Sequence, residues 1–148
     1  MIKAIAVFQN KIKGYVLFTE TEKGTKININ ITNLPTGKHG IHIHEKGNLL
    51  EINCNGCKGH YNPHNKNHGN RTDKNRHVGD LGNIQNKDGK VNITFYDKLV
   101  KLKGKYSVIG RSVIIHSGED DLGLGLNKES KITGNAGNRL DCAVIGFM

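Results

Sequence analysis

The chain has 148 residues, enough for one domain with an ordinary core. Its formal charge of +9 suits an anionic partner, yet the lysines are scattered rather than gathered into a basic block, which speaks against nucleic acid. No segment approaches the roughly 20 apolar residues of a membrane-spanning helix, so no membrane role is expected.

From the N-terminus, "KAIAVF" at Lys3 and "GYVLFT" at Gly14 read as short strands. "KININIT", Lys26 to Thr32, alternates strictly and puts Ile27, Ile29 and Ile31 on one buried face. "TNLPTGKHG" turns the chain into "KHGIHIHEKG", a strand carrying His42 and His44 at i and i+2, so both rings share one face. Glu45 to His77 then breaks the pattern: it is polar, rich in Gly and Asn, and holds most of the remaining histidines. "NKDG", Asn86 to Gly89, is a turn ahead of the strand "KVNITFY". "RSVIIH" from Arg111 and "CAVIGF" from Cys142 are further strands, separated by the Gly-rich stretch Ser117 to Asn138. No amphipathic helix of three turns is present. About eight short strands predict an all-β domain, an antiparallel sandwich or barrel, spanning residues 1–148 without an internal repeat. Two loops longer than about 12–15 residues are uncommon unless functional or disordered, and the histidines of the first favour a loop held by a ligand.

The histidines suggest what that ligand is. His60, His68, His77 and Asp80 can form a tetrahedral nitrogen and oxygen site, which suits zinc. His42, His44 and His116, all on strands, form a second, nitrogen-rich set suited to copper. Two adjacent sites would need a shared ligand or a filled gap, and His60 lies between the groups in sequence. The three cysteines, Cys54, Cys57 and Cys142, read either as free thiols or as part of a metal site around Cys54-x-x-Cys57, although two further soft ligands are lacking.

Taken together, "GKHGIHIHEKG", "GHYNPHNKNHG", "RHVGDLGN", "IGRSVIIH", "DDLG" and "TGNAGNRLDCAVIG" resemble the copper/zinc superoxide dismutases. The resemblance runs over nearly the whole chain, with the first 30 residues matching only in strand pattern. It implies an eight-stranded antiparallel Greek-key barrel with both long loops folded over one active site. It implies an antioxidant oxidoreductase that converts superoxide to oxygen and hydrogen peroxide by cycling copper between Cu(II) and Cu(I), with zinc structural. Carried over by motif, His42, His44, His60 and His116 bind one copper ion, while His60, His68, His77 and Asp80 bind one zinc ion. His60 bridges the two and takes part in proton transfer. Asp120 links His42 to His68 from outside the ligand shell, and Arg139 guides the anionic substrate. Cys54 and Cys142 correspond to the family's disulfide, leaving Cys57 as an odd thiol that could mispair with Cys142. His39 matches a structural, non-ligand position, and His64 has no counterpart. The family's pair of glutamates followed by a lysine is altered to "KES" here, so Lys128 and Lys131 are carried only as candidates for substrate steering.

The competing reading, an inactive dismutase-like metal-binding protein or copper chaperone, sits badly with the retention of all seven metal positions and Arg139. The resemblance also implies a homodimer, and leaves open whether a chaperone delivers the copper. The N-terminal "MIKAIAVFQNKIKG" has no secretory leader pattern. A cytoplasmic location is therefore expected, which would be the host cytoplasm if the source is a virus.

Overall fold

The computed structural model describes residues 1–148. Eight strands form one antiparallel sheet: β1 (Lys3–Gln9), β2 (Lys13–Thr21), β3 (Gly24–Thr32), β4 (Lys38–His44), β5 (Asp80–Gln85), β6 (Lys90–Asp97), β7 (Ser112–His116) and β8 (Arg139–Phe147). They lie in the order β5-β4-β7-β8-β1-β2-β3-β6. The connections from β3 to β4 and from β6 to β7 step across intervening strands, which is the Greek-key pattern. The two edge strands, β5 and β6, are consecutive in sequence. The link Asn86–Gly89 can reach at most about 17 Å when fully extended, so the sheet must curl until its edges meet. At that link Asp88 and Gly89 take positive φ (54° and 81°), and Asn86 Oδ1 accepts from Gly89 N at 2.7 Å. The edges are not paired to each other, and Ile93 on β6 faces the seam at 39% exposure although its partner Ile29 is fully buried.

The alternating apolar residues of β1 to β3 point inward. Ala4, Ala6, Phe8, Val16, Phe18, Ile27, Ile29 and Ile31 belong to one core cluster of 25 buried residues. Ile41 and Ile43 on β4 and Val113 and Ile115 on β7 join the same core. Their neighbours His42, His44, Ile114 and His116 therefore fall on the outer face, yet they too are buried. The cover comes from the long connections β4–β5 and β7–β8, which fold back over that face. Neither connection forms an α-helix; each holds one 3-10 turn, at Ile52–Cys57 and Lys128–Lys131.

Strand β5 was the element not set out by alternation in the sequence. Its first three residues are all buried, and Gly82 has φ +82°, so no period of two survives there.

Candidate metal centre

β4, β5 and β7 position the centre. Residues 42, 44 and 116 share the outer face of adjacent strands, and Asp80 opens β5 opposite His42 after a register shift. The β4–β5 connection brings in His60, His68 and His77.

Outer acceptors fix four of the rings. His42 Nε2 donates to Asp120 Oδ2 (2.7 Å), and His68 Nε2 donates to Asp120 Oδ1 (2.7 Å). His44 Nδ1 donates to the Lys58 carbonyl (2.7 Å), and His116 Nδ1 donates to the Gly137 carbonyl (3.1 Å). Carbonyl and carboxylate oxygens only accept, so in each neutral ring the other nitrogen keeps its lone pair and turns inward. Those inward atoms form two groups. In the first, ligand atoms of His42, His44, His60 and His116 lie within 4.8 Å of one another. His44 Nε2 and His116 Nε2 are 3.4 Å apart, while His42 Nδ1 and His60 Nε2 are buried with no hydrogen-bond partner. In the second, Asp80 Oδ1 lies 3.0, 2.8 and 3.2 Å from Nδ1 of His60, His68 and His77, and the Nδ1 atoms of His60 and His77 are 3.0 Å apart. Tetrahedral zinc with its usual bond lengths would hold ligand atoms about 3.3 Å apart, close to this spacing. His42 also comes within 4.8 Å of this second group, but its two nitrogens are turned to Asp120 and to the first group, so His77 is the better fourth member.

His60 is the one ring with a nitrogen in each group. Buried polar atoms cost free energy when unpartnered. The two orphaned nitrogens, His42 Nδ1 and His60 Nε2, thus fit a cation between them, and an all-imidazole donor set fits copper.

Electrostatics follow the same division. Burial pushes His42, His44, His60 and His116 below the ordinary imidazole value, His116 to about 4, and the nearby His60 ring lowers His42 and His44 further. Burial alone would also lower His68, but its hydrogen bonds to Asp120 and Asp80 outweigh that and raise it to about 9. Burial opposes ionisation of Asp80, yet hydrogen bonds from His60, His68 and His77 hold it well below the usual carboxylate range.

Access is through a pocket of about 380 Å³ whose lining includes His44, His60, His116, Thr133 and Arg139. Arg139 pairs with His116 across the β7–β8 register shift. Its Nη1 donates to the Cys54 carbonyl at 2.7 Å and its Nη2 to the Lys58 carbonyl. Three of its five N–H donors remain for a ligand. Lys58 has φ 62° and ψ −151°, a backbone conformation that strongly favours glycine. Its carbonyl serves His44 and Arg139 together.

Cys54 and Cys142 form the disulfide, tying the β4–β5 connection to β8, and Cys57 is a free, fully buried thiol. His39 is buried outside both groups, with its nitrogens 2.8 and 3.0 Å from the carbonyl oxygens of His116 and Pro35. His64 is exposed and packs edge-on against Tyr106. Neither Lys128 nor Lys131 lines the pocket; Lys131 Nζ donates to the Gly123 carbonyl at 2.6 Å, whereas Glu129 does line it.

Three supporting residues escaped the sequence reading. Asn83 clamps Asp120 from both sides, accepting from its N–H (2.8 Å) and donating to its carbonyl (2.9 Å). Arg76 and Asp97 form a buried pair (2.8 Å) joining the β4–β5 connection to β6. The asparagine stands inside "GDLGN", but nothing marks it apart from the chain's many other asparagines. For the pair, charges of opposite sign at distant positions carry no signal in a single sequence.

Comparison with known proteins agrees with this geometry. The sequence model of the family described as copper/zinc superoxide dismutase matches residues 12–145. The chain belongs to that family. A Cu-Zn superoxide dismutase of Paramecium bursaria Chlorella virus 1 is 49% identical over 148 residues, covering 99% of this chain and 79% of the relative. One from Podospora anserina is 52% identical over 156 residues, covering 99% of both. Extracellular superoxide dismutases of Caenorhabditis elegans and Drosophila melanogaster also match. The crystal structure of the clock protein EA4 superposes with a TM-score of 0.93 at 41% identity, covering 99% of this chain and 94% of that one. The chain is thus a dismutase by family, an oxidoreductase acting on superoxide, and its two histidine groups suit the family's copper and zinc.

Proposed function

We propose that His42, His44, His60 and His116 hold the copper and that His60, His68, His77 and Asp80 hold the zinc, within a single domain of residues 1–148. The observation that carries this reading is the His60 ring, whose Nδ1 lies in one group and whose Nε2 is buried without a partner in the other. Copper supplies the one-electron chemistry that oxidises one superoxide and reduces the next.

The chain's own groups do the rest. Arg139 draws the anion in; its guanidinium is pinned by two carbonyls and remains charged although burial lowers its pKa somewhat. His60 Nε2 is the atom at which a proton is held for delivery to the forming peroxide. Asp120 sets the orientation of His42 and His68 together, coupling the two groups. The β4–β5 and β7–β8 connections exclude bulk water from all but the pocket mouth.

Metal analysis of two variants tests the assignment. His116→Ala is expected to lose copper and superoxide consumption while keeping zinc, whereas His77→Ala is expected to lose zinc first. If both variants lose the same metal, the assignment is wrong.

The homodimer is the assembly we favour. Leu50 and Ile52 are 92% and 78% exposed on the β4–β5 connection, whose Gly47 packs against Gly110 and Val144. A solution mass of twice 16.3 kDa by light scattering is expected, and a single-chain mass would overturn it. The cytoplasm is our proposed location. Fractionation of expressing cells tests it, and recovery in the medium would count against it. A chaperone as copper donor is tested by comparing copper content with and without one during expression.

A further inference from the structure

The turn between β1 and β2 carries a cation to the rim where Arg139 sits. Two hydrogen bonds fix that turn. Ile12 N donates to the buried Asp141 Oδ2 (2.9 Å), two residues beyond Arg139 on β8, and Asn33 Nδ2 donates to the Lys11 carbonyl (2.9 Å). Ile12 is buried in the barrel core, leaving Lys11 exposed beside it. A basin of about 550 Å³ lies there, lined by Lys11, Arg139, Asn53, Asn55, Asn138 and Ser117 among others. No carboxylate borders it. The basin meets the histidine pocket at Gly137 and Arg139, which line both.

The β7–β8 connection is the other place where a guiding cation would be sought, and it supplies none to the pocket wall. Lys131 is engaged by the Gly123 carbonyl, and the charged side chain of that connection in the lining is Glu129. We infer that Lys11 is a substrate-guiding residue: it concentrates small monoanions in the basin beside Arg139, from which they pass to the histidine pocket. The inference rests on the reading of Arg139 as the anion's point of approach. Superoxide dismutases are themselves a known example of electrostatic steering, so the existence of the effect is not new; its source at Lys11 is. One unit charge about 10 Å from an anion in water changes its local concentration about twofold. The effect should be large near 0.01 M salt, where screening acts over about 30 Å, and vanish near 1 M, where it acts over about 3 Å.

The test uses the copper- and zinc-loaded protein and its Lys11→Gln, Lys11→Arg, Lys23→Gln and Arg139→Ala variants, with superoxide consumption measured against ionic strength. Lys23 lies in the turn between β2 and β3, at the far end of β2 from Lys11, so Lys23→Gln removes the same net charge away from the site. Lys11→Gln is expected to be about twofold slower at low salt, equal to the parent at high salt, and to show a shallower salt slope. Lys11→Arg and Lys23→Gln are expected to match the parent. A second measurement needs no turnover: azide titrated into zinc-loaded, copper-free protein, followed by amide shifts of residues 137–140, should saturate at about twofold higher concentration in Lys11→Gln. Parent-like behaviour of Lys11→Gln in either measurement overturns the inference, as does a defect that persists at high salt. If instead Arg139→Ala keeps the parent's salt slope while Lys11→Gln flattens it, the Arg139 reading fails and the route past Arg139 is overturned with it, the charge effect of Lys11 alone remaining.

Discussion

At the scale of single residues, the centre depends on atoms that never touch a metal. Asp120 accepts from His42, His68 and the Leu122 N–H, so its carboxylate has no freedom left. It is reached past Gly134, which has φ +71° and where an added Cβ would fall inside contact distance of Asp120 Oδ1 and His68 Nε2. Gly134→Ala should therefore displace the carboxylate and weaken zinc binding by about 10–100-fold, the usual cost of losing such an outer partner. Chelator competition measures it, and an unchanged zinc affinity would show that the carboxylate does not orient His68. Lys58 presents the opposite case, a side chain where the backbone favours glycine. Residues held so cost about 1–3 kcal/mol, and glycine's greater freedom in the unfolded chain takes back a part. Lys58→Gly is expected to stabilise the fold by about 1 kcal/mol with metal content unchanged. Thermal unfolding decides it, and a lower melting temperature would mean that the lysine side chain contributes more than its backbone costs. That the histidines would gather at one centre was legible in the sequence because few other roles bring so many imidazoles together. The carbonyls of Lys58 and Gly137 that set their tautomers were not, since every residue offers a carbonyl.

At the scale of elements, the question is what keeps a long polar connection against the barrel. The segment between β4 and β5 has little apolar content of its own, and three of its ties to the barrel stand out. These are the Cys54–Cys142 disulfide, the buried Arg76–Asp97 pair, and Arg111, which lies over the Tyr61 ring at 3.7 Å and donates to the Glu45 carbonyl. The disulfide closes a loop with a sequence separation of 88 residues. Removing it should cost about 2–5 kcal/mol, the typical loss for a native bridge. Because the Cys54 carbonyl anchors Arg139, the same change should also slow superoxide consumption. Cys142→Ala is thus predicted to lower both the denaturation midpoint and the rate, and Cys57→Ala to change the rate little. A Cys142→Ala variant with parental rate would uncouple the bridge from Arg139. Here the sequence was only partly legible. The alternation of β3 declares its buried face in full, whereas β5 buries Asp80, Leu81 and Gly82 in succession, with Leu81 and Ile84 in the barrel core and Asp80 among the histidines. Its residues carry no period that a strand reading could use.

At the scale of the whole molecule, the barrel presents one outer face dense in ionisable groups and then covers it, so stability and protonation are coupled. Consider the protein after its metals are stripped by a chelator. His42, His44, His60 and His116 have folded pKa values below 6.5, so as pH falls through 6.5 the unfolded chain takes up protons that the folded one refuses. Stability then falls as pH falls, the His116 share of that loss being complete near pH 4, where this ring is protonated in the fold. His68, raised to about 9, has the opposite sign. Its contribution is complete below 6.5 and is lost as pH rises towards 9. Four rings lose stability on the acid side against one on the alkaline side, and the depressed Asp80 adds a further acid loss near and below its ordinary pKa of 3.8. The melting temperature of the stripped protein should therefore peak near neutrality and decline more steeply towards pH 5 than towards pH 9. Metal loading must raise the whole curve, because ions that bind only the fold stabilise it by mass action, and on the proposed assignment zinc binding releases one proton from His68. Differential scanning calorimetry on both forms checks this. A stripped protein whose melting temperature is flat from pH 7 to pH 5 would mean that the rings are not held neutral by burial, and that the outer face is open to water before the metals arrive.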